Sequence, residues 1–159
     1  MQAEPAPDPS IEIASGSSPE PARVMHVITD LDIGGAERML VSYLTADHFN
    51  RERTVVVSLL HGGMFADRLD AAGFRVADLG MGRIFANIIS PFKLARLIKR
   101  EKPDVIQSWM YHADLVTTLA VLLSGRRKKT RFYWGVRCSD MDASKYHFTL
   151  RFVIWACAW

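Results

Sequence analysis

Val24-Met25-His26-Val27-Ile28-Thr29-Asp30-Leu31-Asp32-Ile33-Gly34-Gly35-Ala36-Glu37 is the stretch that decides the fold. Its first six residues are mostly apolar and β-rich, without alternation of polar and apolar positions, so they read as a strand buried on both faces. Acidic residues and a glycine pair follow. From residue 36 to about residue 47, Met39, Leu40, Tyr43 and Leu44 recur at the spacing of one helix face. A buried strand, a glycine-bearing turn and an amphipathic helix, in that order, open a βαβ unit.

Outward from this unit the same alternation repeats. Residues 54–60 form a second continuous apolar strand, followed by His61-Gly62-Gly63. Residues 65–72 form a short helix closed by Gly73, and residues 74–79 a third strand. Residues 80–90 are irregular, and Pro91 opens a helix whose apolar positions are Phe92, Leu94, Ala95, Leu97 and Ile98. Pro103 stops it before a fourth strand at 104–108. A helix at 111–124 ends at Gly125, a fifth strand spans 131–135, and an apolar helix covers 146–159. Strands alternating with helices of this length predict an α/β, Rossmann-like parallel sheet with helices on both faces and right-handed crossovers. Ligands of such sheets bind beyond the C-terminal ends of the strands, where the strand order reverses.

Composition agrees. The chain has 159 residues, 49% hydrophobic and 23% charged, ordinary globular usage that excludes collagen-like and wholly disordered classes. Residues 1–22 differ from the rest, with five of the seven prolines, four acidic residues and no Lys or Arg. We expect them to be a disordered lead, because they cannot bury enough apolar surface to offset ordering entropy. The domain proper is expected at residues 23–159, with 20 basic and 13 acidic side chains and a net charge of +7. That sign suits anionic partners, although a soluble basic domain has it too. Cys138 and Cys157 have neither metal-ligand spacing nor the density of a disulfide scaffold, which fits a reducing cytoplasm. No apolar run reaches the ~20 residues that span a bilayer.

Three loops at strand ends carry candidate chemistry. Gly34 and Gly35 let the backbone approach a ligand and expose N–H groups at a helix N-terminus, a place for a phosphate. A tight turn with no ligand explains the same residues, and neither a dinucleotide fingerprint nor a P-loop is present. His112 follows the fourth strand, where acid–base chemistry or a local capping role both fit, and Asp114 suits the first turn of a helix. After the fifth strand, Arg137 offers a fork of donors for phosphate or carboxylate, and Asp140 could bind hydroxyls or cap a turn. The run Arg126-Arg127-Lys128-Lys129-Thr130-Arg131 is basic but lacks aromatic interleaving or a nucleic-acid motif. A solvated loop, or contact with anionic lipid at the inner face of the plasma membrane, fits it better than nucleic acid.

Three segments together resemble the N-terminal half of family-four, GT-B-fold glycosyltransferases of bacterial polysaccharide synthesis. They are residues 24–40 with Gly34-Gly35-Ala36-Glu37, residues 102–114 with Trp109-Met110-Tyr111-His112-Ala113-Asp114, and Trp134-Gly135-Val136-Arg137-Cys138-Ser139-Asp140. The resemblance implies a retaining transfer of sugar from a nucleotide-sugar to a glycan or lipid-linked acceptor, with no metal or other cofactor. It implies that this half binds the acceptor and that Gly34 and Gly35 reach the donor diphosphate. By the same resemblance His112 matches a histidine near the reacting sugar, and Arg137 and Asp140 match a loop facing the cleft.

The family's second domain, which binds the nucleotide-sugar and carries a glutamate pair, is not found in these residues. The expectation is therefore an acceptor-side domain, inactive in transfer alone. The competing expectation is a non-catalytic module that pairs with a separately encoded donor domain.

Overall fold

A computed structural model of the chain describes residues 20–46, 50–80 and 86–135. Strands β1 (Val24–Ile28), β2 (Thr54–Ser58), β3 (Arg75–Asp78), β4 (Val105–Trp109) and β5 (Arg131–Gly135) alternate with helices α1 (Gly35–Thr45), α2 (Met64–Ala71), α3 (Ala86–Glu101) and α4 (Tyr111–Ser124). A 3₁₀ turn at Arg51–Arg53 leads into β2. The strands form one parallel sheet in the order β3-β2-β1-β4-β5. The order reverses beside β1: the chain moves outward through β2 and β3, then returns on the other side as β4 and β5.

Two apolar layers hold the sheet. Met25 and Val27 of β1, Val55 and Val57 of β2 and Ile106 of β4 pack against Leu94, Ala95 and Ile98 of α3 and Val116, Ala120 and Val121 of α4. On the other face Ile28, Val56 and Trp109 pack against Leu40, Val41 and Leu44 of α1 and Phe65 and Leu69 of α2. Alternate residues of one strand thus serve opposite layers, which is why the central strands are apolar throughout. Burying each large side chain contributes about 1.5–3 kcal/mol. At the edge, β3 is half-exposed and reads Arg75-Val76-Ala77-Asp78.

The boundaries differ from the sequence expectation in instructive ways. The helix expected to open at Pro91 begins at Ala86, so Pro91 lies inside it and forgoes one backbone bond. Met39 and Tyr43 were expected on the packed face of α1, but they are 44% and 46% exposed, and Glu37, Leu40, Val41 and Leu44 are the buried set. Phe92, expected among the core residues of α3, is 61% exposed for the same reason: the stripe turns toward Leu94, Leu97 and Ile98. Gly73 closes α2 as expected, at φ 85°, a conformation that costs other residues strain. The helix expected at 146–159 and residues 1–19 of the expected lead lie outside the described residues. At the described end of that lead, Arg53 pairs with Glu20 and donates to the carbonyl of Pro21 at 2.9 Å.

Candidate functional site

The reversal puts a crevice at the C-terminal ends of β1 and β4, which pair in register from Val24↔Val105 to Ile28↔Trp109. Helix α1 leaves the end of β1 on one face, and α4 leaves the end of β4 on the other. Gly34, Gly35 and His112 are therefore on one edge of the sheet. Arg137 and Asp140 lie outside the described residues.

The β1–α1 turn is built around Leu31, which is fully buried and anchors the loop between the strand and α2. Its carbonyl accepts from Phe65 N at 3.0 Å, and Asp30 Oδ1 accepts from Asp32 N at 3.2 Å. Gly63 is pressed against this turn: a Cβ there would lie 2.5 Å from Leu31 O and 2.6 Å from Asp32 N. Gly34 is the N-cap of α1 in extended conformation, with no side-chain cap. The Glu37 carboxylate folds back over it, so that a Cβ on Gly34 would lie 2.8 Å from Glu37 Cδ. Glu37 is buried, and its charge at the start of α1 is favoured by the helix dipole. Gly35 is open, with nothing within 4 Å of where its Cβ would be.

This geometry adds a carboxylate to the turn where the sequence suggested an anion site. A phosphate arriving at α1 would meet the Glu37 carboxylate, whereas sugar hydroxyls can donate to that carboxylate and accept from backbone N–H groups. The neighbouring edge is also acidic. Asp78 Oδ2 accepts from Gly62 N at 2.8 Å and sits 3.5 Å from His61 Nδ1, and Asp78 Oδ1 accepts from Gly80 N. Among the described residues no group of His, Cys, Asp and Glu is arranged to hold a metal ion.

The β4–α4 junction is a single residue, Met110, at φ 76° and ψ 155°. That region is nearly restricted to glycine and costs about 1–3 kcal/mol for other residues. Met110 N donates to Gly135 O at 3.4 Å, tying the turn to the end of β5. Gly135 itself admits no side chain, since a Cβ would lie 2.6 Å from Ser108 O. His112 is exposed in the first turn of α4. Asp114 is in that turn as expected, but it is 2% exposed rather than a surface complement to the dipole, and its carboxylate accepts from the Ser108 hydroxyl. Burial pushes its pKa up, and the Ser108 hydrogen bond offsets part of that rise.

Sequence reasoning missed Glu37, Asp114 and His26 as structured polar groups. His26 is 1% exposed in the middle of β1, where Trp109 Nε1 donates to its Nδ1 at 3.3 Å and Tyr43 meets it edge-on at 6.1 Å between centroids. Desolvation lowers its pKa to about 4. A polar residue inside an otherwise apolar strand was the available signal.

The basic residues collect at the opposite edge. Residues 126–130 connect the C-terminus of α4 to the start of β5, on the same edge as Lys99 and Arg100 in the last turn of α3 and Lys102 just after it. A depression of about 350 Å³ on this edge is lined by Arg23, Glu52, Arg53, Arg75 and Glu101. Three of its charges are in ion pairs: Glu101 takes Arg75 at 3.0 Å and Arg100 at 2.9 Å, and Arg53 takes Glu20. It lies at the N-terminal ends of the strands, away from the crevice. No helix among the described residues is long and apolar enough to cross a membrane.

No protein-family model matches the sequence, and no curated protein matches it. Solved structures do resemble the fold. HepE from Anabaena in complex with UDP superposes over 86% of this chain and 35% of its own, with 15% identity and a TM-score of 0.67. HepE in complex with UDP and glucose superposes over 84% of this chain and 34% of its own, with 17% identity and a TM-score of 0.63. A glycosyltransferase from Rickettsia africae gives a weaker match, over 79% of this chain and 33% of its own, with 14% identity and a TM-score of 0.49. The chain thus spans about a third of the length of these proteins. What the HepE likeness establishes is the fold, a Rossmann-like α/β sheet whose strand order in this chain reverses beside β1.

Proposed function

We propose that this chain is the acceptor-side domain of a GT-B, family-four glycosyltransferase that moves a sugar from a nucleotide-sugar to a glycan or lipid-linked saccharide. The observation that carries this reading is the pair of helix N-termini, α1 at Gly34 and Gly35 and α4 at Met110, on adjoining strands at the switch point. Buried Glu37 beside Gly34 favours a ligand rich in hydroxyls over a free anion. Two of the sequence segments of the family resemblance run through β1–α1 and β4–α4, and the third begins at the end of β5 with Trp134 and Gly135. HepE, the structural neighbour, was solved with UDP and with glucose, which supports a nucleotide-sugar as the donor.

In this reading Gly34 and Gly35 bring backbone N–H groups to the ligand, and His112 stands near the reacting sugar. Arg137 and Asp140 complete the loop that faces the cleft. Transfer requires a donor-binding domain, and no metal takes part. The basic turn after α4 gives a face for anionic lipid, on the edge away from the crevice.

The test is a ¹⁵N NMR titration of the 159-residue chain with UDP-glucose and with a series of neutral oligosaccharides. Saccharides are expected to shift the amides of Gly34, Gly35 and His112, and UDP-glucose to bind more weakly than the best of them. Shifts confined to Arg23, Arg53 and Arg75, or none at this edge for any saccharide, overturn the assignment.

A further inference from the structure

The β4–α4 junction contains a buried polar pair for which ligand binding has no direct use. Ser108, the fourth residue of β4, and Asp114, the fourth residue of α4, are 0% and 2% exposed. Asp114 is the one carboxylate on the buried face of α4, whose other members are Ala113, Val116, Ala120 and Val121 with the hydroxyl residues Thr117 and Ser124. A carboxyl group is an expensive occupant of such a layer, and an apolar side chain there would serve packing better.

The hydrogen bonds around the pair form a closed circuit. The Ser108 hydroxyl donates to Asp114 Oδ1, and its oxygen lies 3.4 Å from the Tyr133 carbonyl of β5. Asp114 N donates to Met110 O at 2.9 Å, and Met110 N donates to Gly135 O at 3.4 Å. The circuit encloses Met110, whose φ of 76° and ψ of 155° survive only where surrounding contacts over-determine the backbone. Two residues further on is His112, with its side chain exposed.

We propose that Asp114 is a positioning residue: its bond to Ser108 locks the turn at Met110 and so fixes where His112 stands at the mouth of the β1/β4 crevice. This role presupposes that the crevice binds a saccharide, as proposed above. Asp114 is buried and touches no ligand; it acts through Ser108 and the backbone of the turn. Its place at the start of α4 makes the device local, because the same carboxylate reaches the strand through its side chain and the turn through its own N–H. An apolar residue could fill the volume but could not bridge the helix to the strand.

The experiment compares the 159-residue chain with Asp114→Asn, Asp114→Ala, Ser108→Ala and the double Ser108→Ala/Asp114→Ala variant. Two quantities are measured in each: amide hydrogen exchange at Met110, Asp114 and Leu115 against that of β1, and oligosaccharide affinity read at the His112 amide. Asparagine keeps an oxygen that accepts from Ser108, so Asp114→Asn is expected to match the parent within about twofold. Ser108→Ala and Asp114→Ala remove the bond. Exchange at the junction is expected to accelerate about tenfold more than in β1, and affinity to fall about tenfold. The double variant is expected to be no worse than the poorer single one, since both remove one interaction.

If Asp114→Ala does not fold, Ser108→Ala carries the test, because it deletes a single buried hydroxyl. Junction exchange in Ser108→Ala that matches the parent overturns the proposal, as does an additive double variant. Failure of the saccharide assignment looks different. In that case no chain binds an oligosaccharide, while junction exchange still separates Ser108→Ala from Asp114→Asn.

Discussion

Acidification from neutral pH to pH 5 is expected to destabilise this fold through His26. It is 1% exposed within β1, and its imidazole titrates near pH 4 because burial disfavours the cation. Unfolded, the same side chain titrates at its ordinary 6.5. Between those values the unfolded chain holds a proton that the folded chain does not, so stability falls as pH drops through this window. The span from 6.5 to about 4 corresponds to about 3 kcal/mol in full, of which about 2 kcal/mol is lost by pH 5. Above pH 6.5 the group contributes no pH dependence. Asp114 works in the opposite sense, because a carboxyl whose folded pKa is raised gains stability as pH falls. The comparison must therefore isolate His26. His26→Gln keeps an acceptor for Trp109 Nε1–H, which lies 3.3 Å from Nδ1 in the parent, and removes the titration. Urea unfolding followed by circular dichroism at pH 7.5 and pH 5.0 gives the change in stability for each chain. The parent is expected to lose about 2 kcal/mol more than His26→Gln between the two conditions. An equal loss in both chains refutes the reasoning, as does an NMR titration showing a His26 imidazolium in the folded protein at pH 5.5.

Two further expectations follow from the packing. Gly63→Ala forces a Cβ onto the Leu31 carbonyl and the Asp32 amide, both backbone, and should cost about 2 kcal/mol or more. Gly34→Ala meets only the end of the Glu37 side chain and should cost about 1 kcal/mol or less, so an equal loss in thermal unfolding would contradict the geometry. At the opposite edge, burial pushes the Glu101 carboxyl up, but hydrogen bonds from Arg100 and Arg75 outweigh it and hold the group below its ordinary 4.5. Glu101→Gln should therefore cost about 1 kcal/mol at pH 7. The loss should shrink as pH falls below 4.5 and through the lower folded-state pKa, where the parent carboxylate also protonates, and a gap that does not change with pH would count against the ion pair.

Much of this was legible in the sequence because the relevant patterns are local. The five strands, the α1 and α4 helices and the Gly34-Gly35 turn follow from short apolar runs, a 3.6-residue period and glycine placement. Less legible was which apolar residues turn inward. Met39 and Tyr43 satisfy the same periodicity as Leu40 and Leu44, and only the position of α1 over β1 and β2 selects among them. Pro91 misled for a related reason: proline marks helix starts on average, yet Ala86 begins the helix and Pro91 is carried inside it. Of the site residues, Gly34, Gly35 and His112 were marked by their place after strands. Glu37, Ser108 and Asp114 looked like surface or filler residues until the fold buried them.

By itself the sequence determined the class of this protein: a parallel α/β chain whose turns after β1 and β4 carry the polar residues. It could do so because strand and helix patterning depends on neighbours within a few positions. Only the tertiary structure decided that β4 pairs with β1, at residues separated by 81 positions between Val24 and Val105. That pairing creates the crevice, buries His26 against Trp109 and joins Asp114 to Ser108. It also sends the acidic turns and the basic turn to opposite edges of one sheet. The physical reason is that desolvation, hydrogen bonding and charge are set by what lies within a few ångströms in space, and the chain supplies those neighbours from distant positions.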